Sequence, residues 1–129
     1  MFGGVVGFFY SSSFGSPGHT DLEFDIFAIN GWHNLVHVLS GAIGLVVWQS
    51  YGAARVYAIA FGFVYAIVAI WGLTIGDGES ILGIVPINTA DNILHLLIAL
   101  AGIAAGLATH ATPRPSEASA QPGPRFPLG

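Results

Sequence analysis

The sequence predicts an all-α integral membrane bundle of four helices, the first short or truncated, built as two repeated helical hairpins. Three observations predict it: a composition poor in charge, three apolar runs of membrane-crossing length, and a self-similarity at an offset of 58 residues, as between Asn30 and Asn88. Of 129 residues, 53% are hydrophobic and only 8% charged. A soluble domain carries about 25% charged residues because its surface must stay in water, so this chain needs another solvent, and a bilayer is the obvious one.

The same composition excludes several chemistries. There is no lysine and no cysteine. Schiff bases, P-loop phosphate binding, disulfides, thiolate metal sites and covalent c-type haem are therefore closed to it. The formal charge of −4 is small and scattered, which gives no support to nucleic acid as a partner. Ser11 to Ser13 and Ser80 stand outside any nucleophile-elbow pattern, so serine hydrolysis has no support and no enzyme activity is expected.

The first apolar stretch, Met1 to Tyr10, covers about 15 Å as a helix, half of a hydrocarbon core. It lacks the basic start and the cleavage site of a signal peptide. Next, Leu22, Phe24 and Ile26 alternate with Asp21, Glu23 and Asp25, which predicts a short extended piece on the outer surface. The three spanning segments run roughly from Asn30 to Trp48, from Val56 to Ile75 and from Asn88 to Ala108. They are continuous, rich in alanine and leucine and without strict alternation, hence helical. Residues 1–110 form the bundle. Beyond them, Pro113, Pro115, Pro122, Pro124 and Pro127 predict a disordered tail over 111–129.

All three arginines, Arg55, Arg114 and Arg125, fall in the second connection or the tail. Helices alternate in direction, so these two regions share a side, which the positive-inside rule assigns to the cytoplasm. The expected topology is thus multi-pass with the C-terminus cytoplasmic. Asp21, Glu23, Asp25, Asp77 and Glu79 fall on the other side. Aromatic rings flank both boundaries: Trp48, Tyr51 and Tyr57 at one, Tyr10, Trp32 and Trp71 at the other.

At the offset of 58, Ile26, Ile29, Asn30, Asn34, His37, Leu39 and Gly44 recur as Ile84, Ile87, Asn88, Asn92, His95, Leu97 and Gly102. Polar identities inside apolar segments are unlikely by drift, which points to two hairpins in one orientation. Gly7-Phe8 also aligns with Gly72-Leu73, but that match begins about nine residues late. Either a short first helix or a misassigned start explains the difference.

The segments Asn30-Gly-Trp-His33-Asn34-Leu-Val-His37 and Leu82-Gly-Ile-Val-Pro-Ile-Asn88-Thr-Ala-Asp91-Asn92-Ile-Leu-His95 resemble the signature of domain-of-unknown-function family 4383, bacterial membrane proteins with many actinobacterial members. The resemblance spans roughly Phe24 to Gly106 and includes Ala54-Arg55-Val-Tyr57-Ala. It implies a four-helix protein of the bacterial plasma membrane and no particular activity.

Asn30, His33, Asn34 and His37 share one helix face, as do Asn88, Asp91, Asn92 and His95. Polar groups at that depth should face the bundle interior. In one reading His33, His37, Asp91 and His95 hold a divalent metal, with haem as a further candidate. His33-Asn34-x-x-His37 lacks the glutamate of the H-E-x-x-H proteases, so peptide hydrolysis by that route is disfavoured. In the other, preferred reading, Asn30 and Asn88 cap helices while Asn34, Asn92 and the histidines lock helix packing, and no cofactor is expected.

The small-residue stripes Gly3-x-x-x-Gly7, Ala58-x-x-x-Gly62-x-x-x-Ala66 and Gly102-x-x-x-Gly106 predict close helix packing inside the bundle, with self-association as a further use. His19 and His110 are expected to be solvated. A proton or solute conduit would need a continuous polar path, and Ile43 to Val47 and Leu100 to Ala108 interrupt it. The expected function is therefore structural or interactive, with lipid as the main partner.

Overall fold

In the computed structural model, residues 2–15, 21–23 and 26–109 are described. The predicted tail, His19, His110, Phe24 and Asp25 lie outside them. The described residues form four helices, α1 (Phe2–Tyr10), α2 (Gly31–Val47), α3 (Tyr51–Ile75) and α4 (Thr89–Ala108). Two short antiparallel hairpins precede α2 and α4: β1 (Asp21–Glu23) with β2 (Phe27–Ile29), and β3 (Ser80–Ile81) with β4 (Val85–Pro86).

Two helices, α3 and α4, are long and apolar enough to cross a membrane; α2 is apolar but has 17 residues, about 26 Å of helix, short of the roughly 30 Å expected of a span. The expected stretch Asn30 to Trp48 thus loses both its end residues to caps. Conversely, α3 begins five residues before the expected Val56, because Ser50 accepts a hydrogen bond from the Ala53 N–H and Ala53-Ala54-Arg55 continue the helix. The extended piece foreseen near Asp21 is strand β1, whose Asp21 and Glu23 pair with Ile29 and Phe27.

The helices pack as two neighbouring pairs, α1 with α2 and α3 with α4. Small residues make this possible. A Cβ on Gly62 would stand 2.8 Å from the Ala99 carbonyl oxygen, and one on Gly102 would stand 2.9 Å from that of Ala58. In the first pair Gly4 and Gly7 lie against α2, while Gly3, half of the foreseen stripe, meets nothing. The buried face of α3 is Gly62, Tyr65, Ala69 and Gly72; it shares Gly62 with the foreseen Ala58-Gly62-Ala66 stripe, whose Ala58 and Ala66 are half-buried. At the far end the Arg55 Nε–H donates to the Gly106 carbonyl at 3.0 Å, closing the C-terminal turn of α4.

Turn geometry sets the β3–β4 hairpin. Leu82 and Gly83 both have positive φ, 55° and 70°, and the Ile84 N–H donates to the Ile81 carbonyl at 3.2 Å. A leucine in this conformation carries a steric cost of about 1–2 kcal/mol that glycine avoids.

Gly62→Ala should lower stability by about 1–3 kcal/mol, since backbone on α4 must retreat. Gly52, whose Cβ would meet nothing, should accept alanine with no loss or a gain of up to about 1 kcal/mol. Thermal unfolding of the two variants in one detergent compares them directly.

Candidate functional site

The polar residues gather where the N-termini of α2 and α4 meet the two β-hairpins. Asn30 and Asn88 precede these helices with extended backbones, and each side-chain oxygen accepts from the third helical N–H, that of His33 or Asp91, at 2.9 Å. Their amide groups then cross over. Asn30 Nδ2 donates to the Ile84 carbonyl at 2.7 Å, and Asn88 Nδ2 donates to the Ile26 carbonyl, also at 2.7 Å. Each hairpin therefore satisfies a carbonyl of the other.

The next layer inward seats the paired helices. Asn34 and Asn92 are each 1% exposed, and their side chains fill the space that a Cβ on Gly7 or Gly72 would need. Asn34 Nδ2 also donates to the Ser11 carbonyl at 2.8 Å, holding the loop after α1. Phe14, in that loop, packs edge-on against Trp32 and covers Gly31.

Asp91 and His33 occupy corresponding places on α4 and α2, and both engage Ala28 in β2. Asp91 Oδ2 accepts from the Ala28 N–H at 2.8 Å and from the Asn88 N–H at 3.2 Å. His33 Nδ1 lies 2.8 Å from the Ala28 carbonyl. At the offset of 58 the counterpart of Ala28 is Pro86 in β4, which has no N–H to give, and the counterpart of Asp91 is His33 rather than a carboxylate.

Three histidines converge below this layer. One ring nitrogen from each of His33, His37 and His95 lies within 4.8 Å of the others. The His33 and His37 Nε2 atoms are 2.9 Å apart, their rings stacked at 4.8 Å, and the His37 and His95 rings stack at 6.0 Å. For neutral rings the roles follow in sequence. The Ala28 carbonyl can only accept, so His33 carries its proton on Nδ1; His37 donates from Nε2 to His33 Nε2; and Tyr65 Oη donates to His37 Nδ1 at 3.3 Å. His95 is 3% exposed, and its Nδ1 has no hydrogen-bond partner among the described residues.

Of the four side chains expected at a metal site, the structure brings His33, His37 and His95 together. Asp91 lines the same cavity, but its Oδ2 is turned to two backbone N–H groups. That cavity holds about 210 Å³, between α1, α2 and α4, with Phe2, Val6, Phe27 and Leu94 as apolar walls. Sequence reasoning missed Tyr65, which meets the His95 ring edge-on at 5.2 Å. The signal was there: a hydroxyl in mid-span, on the face set by Gly62, Ala69 and Gly72.

Asn30→Ala and Asn88→Ala each remove a cap, worth about 0.5–2 kcal/mol, and Asn30→Ala also strands the part-buried Ile84 carbonyl, worth about 1–3 kcal/mol, whereas the Ile26 carbonyl freed by Asn88→Ala is exposed. By these contributions Asn30→Ala should lose about 1.5–5 kcal/mol and Asn88→Ala about 0.5–2 kcal/mol of stability, and the double variant less than the sum, since either alone loosens the same junction. Chemical denaturation in detergent measures all three.

Comparison with curated proteins and with solved structures gives no match. Residues 1–108 match a family described as a domain of unknown function, DUF4383. That match takes in all four helices and every member of the polar layer, and the chain belongs to this family.

Proposed function

We propose that the chain is a multi-pass membrane protein with a structural or interaction role, in which two hairpins repeated in one orientation are joined through a buried polar layer. One observation carries this: burial is inverted relative to a protein in water. Asn30, Asn34 and Asn92 are 1% exposed, whereas Ile67 is 62% and Leu107 61% exposed. Val36, Leu39, Ile43 and Val46 continue the exposed apolar surface on α2. Acyl chains are the partner such a surface fits, and α2 reaches across with its flanking Trp48 and Trp32 at the interfaces.

Support for the repeat comes from contacts that recur. Gly7 meets Asn34 as Gly72 meets Asn92, and the Asn30–Ile84 bond has its counterpart in Asn88–Ile26. In such an arrangement the two hairpins share a direction through the bilayer, with the β-hairpins on one side. Arg55 lies at the opposite side, beside Gly106, and we assign that side to the cytoplasm of a bacterial cell, leaving Asp77 and Glu79 outside.

The absence of native cysteine makes the test clean. In intact cells, a membrane-impermeant maleimide should label Glu79→Cys and leave Ala53→Cys unlabelled until the cells are opened. Labelling of both before opening, or release of the protein from membranes by alkaline carbonate, would refute the assignment.

A further inference from the structure

We propose that His33, His37 and His95 form a binding site for one divalent transition-metal ion of borderline softness, with zinc as the reference ion. The argument starts from the donors. Three imidazoles with no thiolate suit zinc, copper or iron rather than calcium or magnesium. They come from two helices, α2 and α4, so the set exists only in the folded chain. His33 and His37 stand at i and i+4 on one face, and His95 closes the third side.

The spacing is close to what an ion requires. Around a tetrahedral centre with bonds of about 2.0–2.1 Å, ligand nitrogens stand about 3.3 Å apart. The His33 and His37 Nε2 atoms, now 2.9 Å apart, would open slightly, and the trio as a whole, spread over at most 4.8 Å, would contract. His95 is the ring placed to make that adjustment, because no hydrogen bond holds its buried Nδ1. Nitrogens this close enclose a single ion; a macrocycle needs a slot that a cavity of about 210 Å³ does not supply.

Outer partners suit the same role. A ligating histidine usually donates its other N–H to a carbonyl or similar acceptor, which fixes ring and tautomer. His33 already does so, from Nδ1 to the Ala28 carbonyl. On binding, the proton now between the two Nε2 atoms shifts to His37 Nδ1, and the Tyr65 hydroxyl turns from donor to acceptor. No proton leaves the site in this exchange. The ion's charge is offset in part by Asp91, on the wall of the same cavity. Three protein ligands leave a fourth position open to that cavity, the arrangement of sites that take a water or a small ligand.

The test uses the full chain, purified in detergent without metal and shown to be helical by circular dichroism. Titration with Zn²⁺ should give one ion per chain and a higher melting temperature. Co²⁺ in the same site should give the intense visible spectrum of tetrahedral nitrogen coordination, a readout that needs no variant. His95→Gln, which keeps the side chain's bulk, should stay folded and lose more than about 100-fold in affinity, since loss of an outer partner alone costs 10–100-fold. Tyr65→Phe should lose about 10-fold by the same measure. Folded wild-type protein that takes up neither ion, a Co²⁺ spectrum of octahedral type, or unchanged affinity in folded His33→Gln, His37→Gln and His95→Gln would each overturn the proposal.

Discussion

Everything at the hairpin end of this molecule depends on one constraint: backbone carbonyls and N–H groups that leave regular structure must find partners inside the protein. In water a loop meets this need at no cost in design. In the bilayer proposed here, solvent is scarce at the helix ends, and an unpaired group costs several kcal/mol. The reciprocal donation from Asn30 to Ile84 and from Asn88 to Ile26 answers it with two side chains. Because each asparagine also caps its own helix, the same atoms set where α2 and α4 start and how far apart they stand.

Packing follows from that anchoring. Once the N-termini are held, Asn34 and Asn92 are aimed at the neighbouring helices, where only glycine leaves room. The pairs α1–α2 and α3–α4 then close along small residues, and apolar side chains are left on the outside. The polar layer consequently does the organising work that a hydrophobic core does in a soluble domain. In the proposed bilayer it can do so because lipid tails compete weakly for helix–helix contacts, while hydrogen bonds and close packing have no substitute there.

Much of this was legible in the sequence. The four helices, the Asn30 and Asn88 caps and the convergence of the two polar stripes all follow from the 3.6-residue period and the cost of polar groups in apolar runs. Pairing at the β-hairpins was half legible: alternation marked β1, but nothing in Ser80-Ile81 or Val85-Pro86 separates a two-residue strand from a loop. The division of labour between His33 and Asp91 was not legible. It depends on Ala28 having an N–H where Pro86 has none, a contact between residues 63 positions apart in the case of Asp91. Spacing along one helix cannot report a partner on another, which is also why Tyr65 went unnoticed beside the histidines.

The reciprocal exchange between Asn30 and Asn88 has the form of a contact across the dyad of a homodimer. A single hairpin of this kind, paired with an identical copy, could make both bonds. It could not make the Ala28 clamp, because identical copies cannot carry an acid on one side and an imidazole on the other. If the two hairpins are repeats, as proposed above, joining them in one polypeptide leaves each free to differ while the shared junction holds them in register. The meeting point of His33, His37 and His95 takes two rings from α2 and one from α4, an unequal share that two identical copies related by a dyad would not give.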